Sequence, residues 1–118
     1  MISTARLLRK HGFSNDEIEI TWYYLGGKPV YLIEAIKNRS NLRQFCERLL
    51  RMRIRQILEA LEGKIPKLFK LFKDRNVIEY DTLTDELKLC VRENIVFVDP
   101  VNGIVKPQSQ IDLLAMRS

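Results

Sequence analysis

The chain has one histidine, His11, and two cysteines, Cys46 and Cys90, in 118 residues. A metal site needs three or four converging ligands. None of these residues has a Cys or His partner at ligand spacing, so no metal site is expected. His11 sits beside Gly12 near the end of the first helical stretch, a position that suits a cation at a helix C-terminus. The cysteines fall on apolar helix faces and are expected to be buried thiols. No apolar run approaches the roughly 18 residues of a membrane span. Met1-Ile2-Ser3-Thr4-Ala5-Arg6 lacks the apolar core of a signal peptide, so a cytoplasmic protein is expected, with no membrane partner. A Gly-x-x-x-x-Gly-Lys-Ser/Thr loop is missing, as is any strand-plus-acid pattern that would accompany it. The adjacent carboxylates Asp85 and Glu86 diverge on a helix, and Asp99-Pro100 reads as a turn. No catalytic constellation remains, and no enzyme is expected.

What is present is helical. Apolar residues make up 46% of the chain and charged residues 30%, a balance that supports a core and argues against disorder. The length fits one domain or two small subdomains. Ser14-Asn15-Asp16-Glu17 is a capping box, with the Ser14 hydroxyl and the Glu17 carboxylate satisfying each other's backbone N–H groups. It opens a helix from about Asn15 to Leu25, which Gly26-Gly27 ends by offering a left-handed residue without a Cβ clash. Pro29 then suits the first turn of a helix to Lys37. With a short helix over Thr4 to Lys10, residues 1–38 form a first, three-helix unit. Ile18, Trp22 and Leu25 make one inward stripe and Tyr31, Leu32, Ala35 and Ile36 another. Trp22, Tyr23 and Tyr24, at helical spacing, are read as core.

Residues 39–118 form the second unit. A long helix runs from Ser40 or Asn41 to Glu62, capped by Gly63. Its inward stripe is Leu42, Phe45, Cys46, Leu49, Leu50, Ile54, Ile57, Leu58 and Leu61. Arg48, Arg51, Arg55, Glu59 and Glu62 lie opposite, with Arg55 and Glu59 spaced for an ion pair. Pro66 opens a helix to about Asp74 that turns Leu68, Phe69, Leu71 and Phe72 inward and Lys67, Lys70 and Lys73 outward. Thr82 or Thr84 caps a helix to about Glu93. Ile95 to Val98 and Ile104 to Lys106 are strands around Asn102-Gly103, the signal for a type I′ hairpin turn; Pro107 ends the pairing. Gln108 to Arg117 is a last helix with Ile111, Leu114 and Ala115 inward. The fold class is mainly α: a helical unit, then a winged-helix-like domain with one small C-terminal hairpin.

Charge is uneven. Residues 37–75 hold twelve Lys/Arg against four acids, +8, while residues 76–118 come to −3. In a winged helix that reads DNA, the helix before the hairpin enters the major groove. Here Asp81 to Asn94 carries net −2, and the hairpin tip is short and neutral. Any nucleic-acid contact is therefore expected to be sequence-independent and carried by Arg48, Arg51, Arg55, Lys67, Lys70 and Lys73. Otherwise these side chains form a solvated face.

Gly27-Lys28-Pro29 followed by Val30-Tyr31-Leu32 resembles the Gly-x-Pro signature in the helical lid of STAND-type and archaeal AAA+ ATPases. The stretch from Asn94 to Ser109 is similar to the segment that closes the C-terminal winged helix of the archaeal ATPase family. The resemblance implies a lid over residues 1–38, in which Gly27 and Pro29 lie against nucleotide held by an ATPase core in cis or trans. ATP is then a ligand of the parent family, and this chain alone binds no cofactor. Residues 1–118 correspond to the back half of such an ATPase, a split gene or a fragment, which closes over nucleotide and relays its state to a partner. The alternatives are a free-standing winged-helix DNA-binding protein and a helical adaptor that forms a homo-oligomer through the long helix.

Overall fold

Side-chain caps mark where four of the helices begin. The structure, a computed structural model, describes residues 3–118; Met1 and Ile2, part of the stretch read for a leader, lie outside them. Ser3 caps α1 (Thr4–Lys10), and the Ser14–Glu17 box caps α2 (Asn15–Leu25) with both reciprocal hydrogen bonds formed. Pro29 stands at the start of α3 (Pro29–Lys37). A 3-10 turn (Arg39–Asn41) leads into the long α4 (Leu42–Ala60). One turn of helix, α5 (Leu68–Leu71), and a two-residue strand, β1 (Ile78–Glu79), precede α6 (Asp85–Arg92), which Thr84 caps. The hairpin β2 (Val96–Asp99) and β3 (Ile104–Pro107) then leads to α7 (Gln110–Arg117), capped by Ser109.

The protein is mainly α with a small antiparallel sheet, but that sheet has three strands in the order β1-β3-β2, not two. Ile78 pairs with Val105, and Val98 also lies opposite Val105 from the other side. A two-residue strand is too short to show alternation, which is why β1 was not legible. The hairpin turn also differs from expectation. Four residues separate β2 from β3, and of Asn102 and Gly103 only Gly103 has positive φ, 64°. A type I′ turn needs both residues positive. Instead the Asp99 carboxylate accepts hydrogen bonds from the backbone N–H of Val101 and Asn102 and from the Asn102 amide. An acceptor at the head of the loop favours this longer turn.

Two apolar clusters form. The first joins Leu8, Phe13, Leu25 and Ala35 to Leu42 and Cys46 of α4 and Ile111 of α7. The second joins Ile57, Leu61, Leu68, Phe69 and Phe72 to Ile78, Leu87, Cys90, Val96 and Val105, with Leu113, Ala115 and Met116 of α7. Leu50 packs against both. Both cysteines are free and fully buried, and burial pushes each thiol up to about 11. Near neutral pH they stay protonated and behave as small apolar groups.

Helix α7 is the shared element. Its six residues Ile111 to Met116 are all buried, far more than the one stripe expected. It packs on α2, α4, α5 and β3, so no face is left to water. The cost of this position is Asp112, a buried carboxylate. The Arg53 guanidinium reaches it from α4, and the Ser109 hydroxyl donates to its other oxygen at 2.8 Å. Arg53 also donates to the Asn94 carbonyl at 3.3 Å, beside the C-terminus of α6.

Several side chains turn the other way from expectation. Thr21, not Trp22, takes the buried place between Ile18 and Leu25, because its hydroxyl donates to the Glu17 carbonyl at 2.8 Å and so needs no outside partner. Leu58 and Leu71 are 40% and 53% exposed. Helix α4 ends at Ala60, and Glu62 (φ 54°) and Gly63 (φ 75°) are both left-handed, with the Gly63 N–H donating to the Leu58 carbonyl at 2.8 Å.

The buried pair sets a stability prediction. Arg53→Met leaves the Asp112 carboxylate buried without its cation and is expected to cost about 3 kcal/mol in urea denaturation. Arg53→Met with Asp112→Leu removes both charges and should recover most of that loss.

Candidate functional site

The turn between α2 and α3 is built by two glycines with different tasks. Gly26 has φ 61° and ψ −143°, a backbone region open to glycine. A Cβ on it would stand 3.1 Å from Cβ of Gln110, so its absence also lets the start of α7 approach. Gln110 uses that approach: its side-chain amide donates to the Tyr23 carbonyl at 3.1 Å, at the C-terminal end of α2. Gly27 has no positive φ. A Cβ there would meet the Thr4 hydroxyl at 3.1 Å and the Trp22 ring at 3.6 Å.

The outer side of this corner is apolar and uncovered. Trp22 is 58% exposed, Val30 55% and Ile33 54%, with Gly27 and Pro29 exposed among them. Exposed indole and aliphatic side chains on adjoining helices are candidates for a binding surface. The corner was legible as a turn; its exposed side was not, since helical spacing alone does not say which of two apolar faces is covered. Lys28 lies with its ammonium 5.6 Å from the centre of the Tyr31 ring. Tyr31 faces inward, where burial first and the Asp112 carboxylate second push its hydroxyl up.

An ion pair fixes the far end of the same three helices. Arg39 forms a two-pronged pair with Glu17, at 2.9 and 3.1 Å, and donates to the Gly12 carbonyl at 2.6 Å. The Arg39 guanidinium and the Ser14 backbone N–H lower the Glu17 pKa from an ordinary 4.5 to about 2. This pair joins the α1–α2 loop to the entry of α4, and the Gly-Lys-Pro corner stands at the other end of α2.

The basic residues do not form one strip. Arg48, Arg51, Arg55, Lys67, Lys70 and Lys73 are all exposed, and none is in an ion pair among the described residues. Arg51 and Arg55 come together along one groove on α4, shared with Glu59 and Glu62. Lys67 lines another groove, between α5 and the sheet, together with Glu79, Asp81 and Glu86. The expected Arg55–Glu59 pair is not formed. At this spacing the acid-first order is the stabilising one, and here the base comes first. Glu86 on α6 is occupied in a different way, accepting the Leu68 backbone N–H at 3.0 Å. Among the described residues no group of His, Cys, Asp and Glu is gathered for a metal ion, and no helix is long and apolar enough to cross a membrane.

Residues 30–118 match the family model described as "Uncharacterized ATP-binding protein MJ1010-like, C-terminal domain". The chain belongs to this family. An uncharacterized ATP-binding protein of Pyrococcus abyssi is 41% identical over 98% of this chain and 36% of its own length. One from Methanocaldococcus jannaschii is 40% identical over the same shares. A second Pyrococcus abyssi ATP-binding protein is 43% identical over 98% of the chain and 35% of its own length. The chain thus spans about a third of the length of the curated relatives it matches. No solved structure matches it.

The Glu17–Arg39 pair has a sign-specific pH signature. Glu17 has a lower pKa folded than unfolded, so its contribution is complete above about pH 4.5 and is lost as pH falls toward 2. Glu17→Gln is expected to flatten the loss of stability over that window, read as thermal midpoint against pH, while leaving the neutral-to-basic limb unchanged in shape.

Proposed function

We propose that this chain is a non-catalytic C-terminal module of an archaeal ATPase. In this reading its α2–α3 corner closes over nucleotide held by a separate core, in cis or in trans. The observation that carries the reading is the uncovered apolar surface of Trp22, Val30 and Ile33 around Gly27 and Pro29. A corner of this kind is poorly suited to bind a phosphate chain alone, because it offers neither a Gly-rich loop nor a cation cluster. It is well suited to lie against another protein surface with a flat base between them. Family membership supports the same reading, since the relatives are named ATP-binding proteins and extend well beyond the part matched here.

Two connections supply a route for relaying nucleotide state. Gly26 and Tyr23 touch Gln110 at the start of α7, so a tilt of the corner is felt there. Tyr31, on the helix that Pro29 opens, lies near Asp112, whose partner Arg53 reaches the end of α6. A change at Pro29 therefore has packed contacts leading to the C-terminal part. That part is read as winged-helix-like from its helix, its antiparallel hairpin and the third strand beside it. Its helix α6 carries Asp85 and Glu86 in the first turn, which disfavours a DNA-reading role and favours a protein partner.

Trp22, the single tryptophan of the chain, stands on the surface in question and is its own probe. Titration of the pure chain with ATP should leave its emission unchanged and show no hydrolysis. Addition of an ATP-loaded core, the N-terminal two-thirds of a Pyrococcus abyssi relative, should shift the emission to shorter wavelength as the indole is covered. Pro29→Ala is expected to change folding stability by less than about 1 kcal/mol and to weaken that nucleotide-dependent shift. Micromolar ATP binding by the isolated chain would overturn the reading.

A further inference from the structure

The exposed side of α4 carries an ordered pattern that the lid reading does not use. From its middle to just past its end, the groove presents Arg51, Ile54, Arg55, Leu58, Glu59 and Glu62. The spacings of three and four place Arg51 to Glu59 on one helical face, and Glu62, past the helix end, lines the same groove. Bases occupy the first half and acids the second, with Ile54 between the two bases and Leu58 between Arg55 and Glu59. Leu58 is 40% exposed although it stands in the middle of this face. None of the four charged residues forms an ion pair among the described residues.

A face with this order is complementary to itself when reversed. We infer that α4 packs against α4 of a second copy of this chain, antiparallel, about a two-fold axis that passes beside Gln56 and Ile57. In that register Ile54 of one copy meets Leu58 of the other. Arg51 meets Glu62, and Arg55 meets Glu59. All three pairings place the axis within one residue of the same point, and each occurs twice by symmetry, as a self-complementary two-fold contact requires. At about 1.5 Å of rise per residue the helical part of the seam runs about 12 Å from Arg51 to Glu59, and Glu62 extends it past the helix end. The Ile54–Leu58 and Arg55–Glu59 pairs lie side by side near the axis, and the Arg51–Glu62 pair stands at the rim.

The occupant is a second copy and not a nucleic acid because the face has no net charge. A phosphate backbone placed along Arg51 and Arg55 would run onto Glu59 and Glu62. The contact is also separate from the α2–α3 corner, so a dimer leaves that surface free. One helix face is a small interface, and the dimer is expected to be weak, with a dissociation constant in the micromolar range.

Charge-reversal pairs test this with the full chain in analytical ultracentrifugation. The unaltered protein should pass from monomer to dimer as concentration rises at about 50 mM salt, and the transition should move at least several-fold higher at about 500 mM. Arg51→Glu with Arg55→Glu makes the face uniformly acidic, and Glu59→Arg with Glu62→Arg makes it uniformly basic. Each double variant should be monomeric and, because all four positions are exposed, should keep the parent circular dichroism. An equimolar mixture of the two should restore the dimer, since their faces are complementary. The inference fails if the unaltered protein stays monomeric at several hundred micromolar, if either variant still dimerises, or if the mixture does not. Binding of random-sequence duplex DNA by a monomeric protein, lost in the Arg51/Arg55 variant, would replace it with the nucleic-acid reading. No arm uses nucleotide or an ATPase core, so the result is independent of the proposed function.

Discussion

A buried carboxylate and the one guanidinium that reaches it hold this fold in register. Helix α7 is covered on all sides, so Asp112 has no water to solvate it, and an unpaired charge there would cost several kcal/mol. Arg53 suits the place better than lysine would. Its planar group carries several donors on one rigid fork and keeps a partly apolar stem against α4. With one end on Asp112 and another on the Asn94 carbonyl, it joins the middle of α4, the start of α7 and the end of α6. A helix end attracts a cation as well as a hydrogen bond. Replacing the pair by apolar residues would keep much of the stability but lose these directional contacts between α4, α6 and α7. The charges select one depth and one rotation of α7.

That fixed position is what makes the α2–α3 corner more than a connection. Gly26 exists to let Gln110 close in, and Gln110 bonds to the last turn of α2. The corner is therefore referenced to α7, and α7 to the second core. The molecule as a whole is extended, 45 × 31 × 22 Å with a radius of gyration of 15.4 Å. A compact chain of this length would have about 13.5 Å. The extra length comes from laying two cores side by side along α4 instead of wrapping them round each other. Each core keeps an outer face, and the uncovered apolar groups lie on those faces.

Local chemistry was legible in the sequence where it is strictly local. Ser14 with Glu17 named the start of α2, the Gly26-Gly27 pair its end, Pro29 the start of α3 and Thr82 or Thr84 a helix cap, and α2 and α3 begin and end where those signals place them, with Thr84 taking the cap. What depends on distant residues was not legible. Trp22 and Thr21 compete for one buried position, and a backbone hydrogen bond four residues upstream decides in favour of the threonine. Arg53 looked like one of many arginines on α4, because its partner lies 59 residues away. A signal was present: Asp112 sits inside an apolar run, and a charge in such a run calls for a partner. The strand β1 and the four-residue hairpin loop were missed because each is set by what lies opposite it, and Asn-Gly alone does not exclude a side-chain acceptor upstream.

The same distinction orders the surfaces. The Gly-Lys-Pro motif marks a backbone corner, and Trp22, Val30 and Ile33 stand exposed on the two helices that meet there. The basic stretch of the sequence has the opposite history. Read by composition it is a run of cations; folded, Arg51 and Arg55 line one groove and Lys67 another, each edged with carboxylates, while Arg48, Lys70 and Lys73 line neither. Density of charge along the chain therefore overstates density of charge in space. On α4 this mixing carries an order of its own, bases first and acids after, and an ordered neutral face discriminates between partners in a way that a uniformly basic one does not. Like charges set side by side cost more than neutral mismatches, so such a face accepts its own reverse and rejects the parallel alignment.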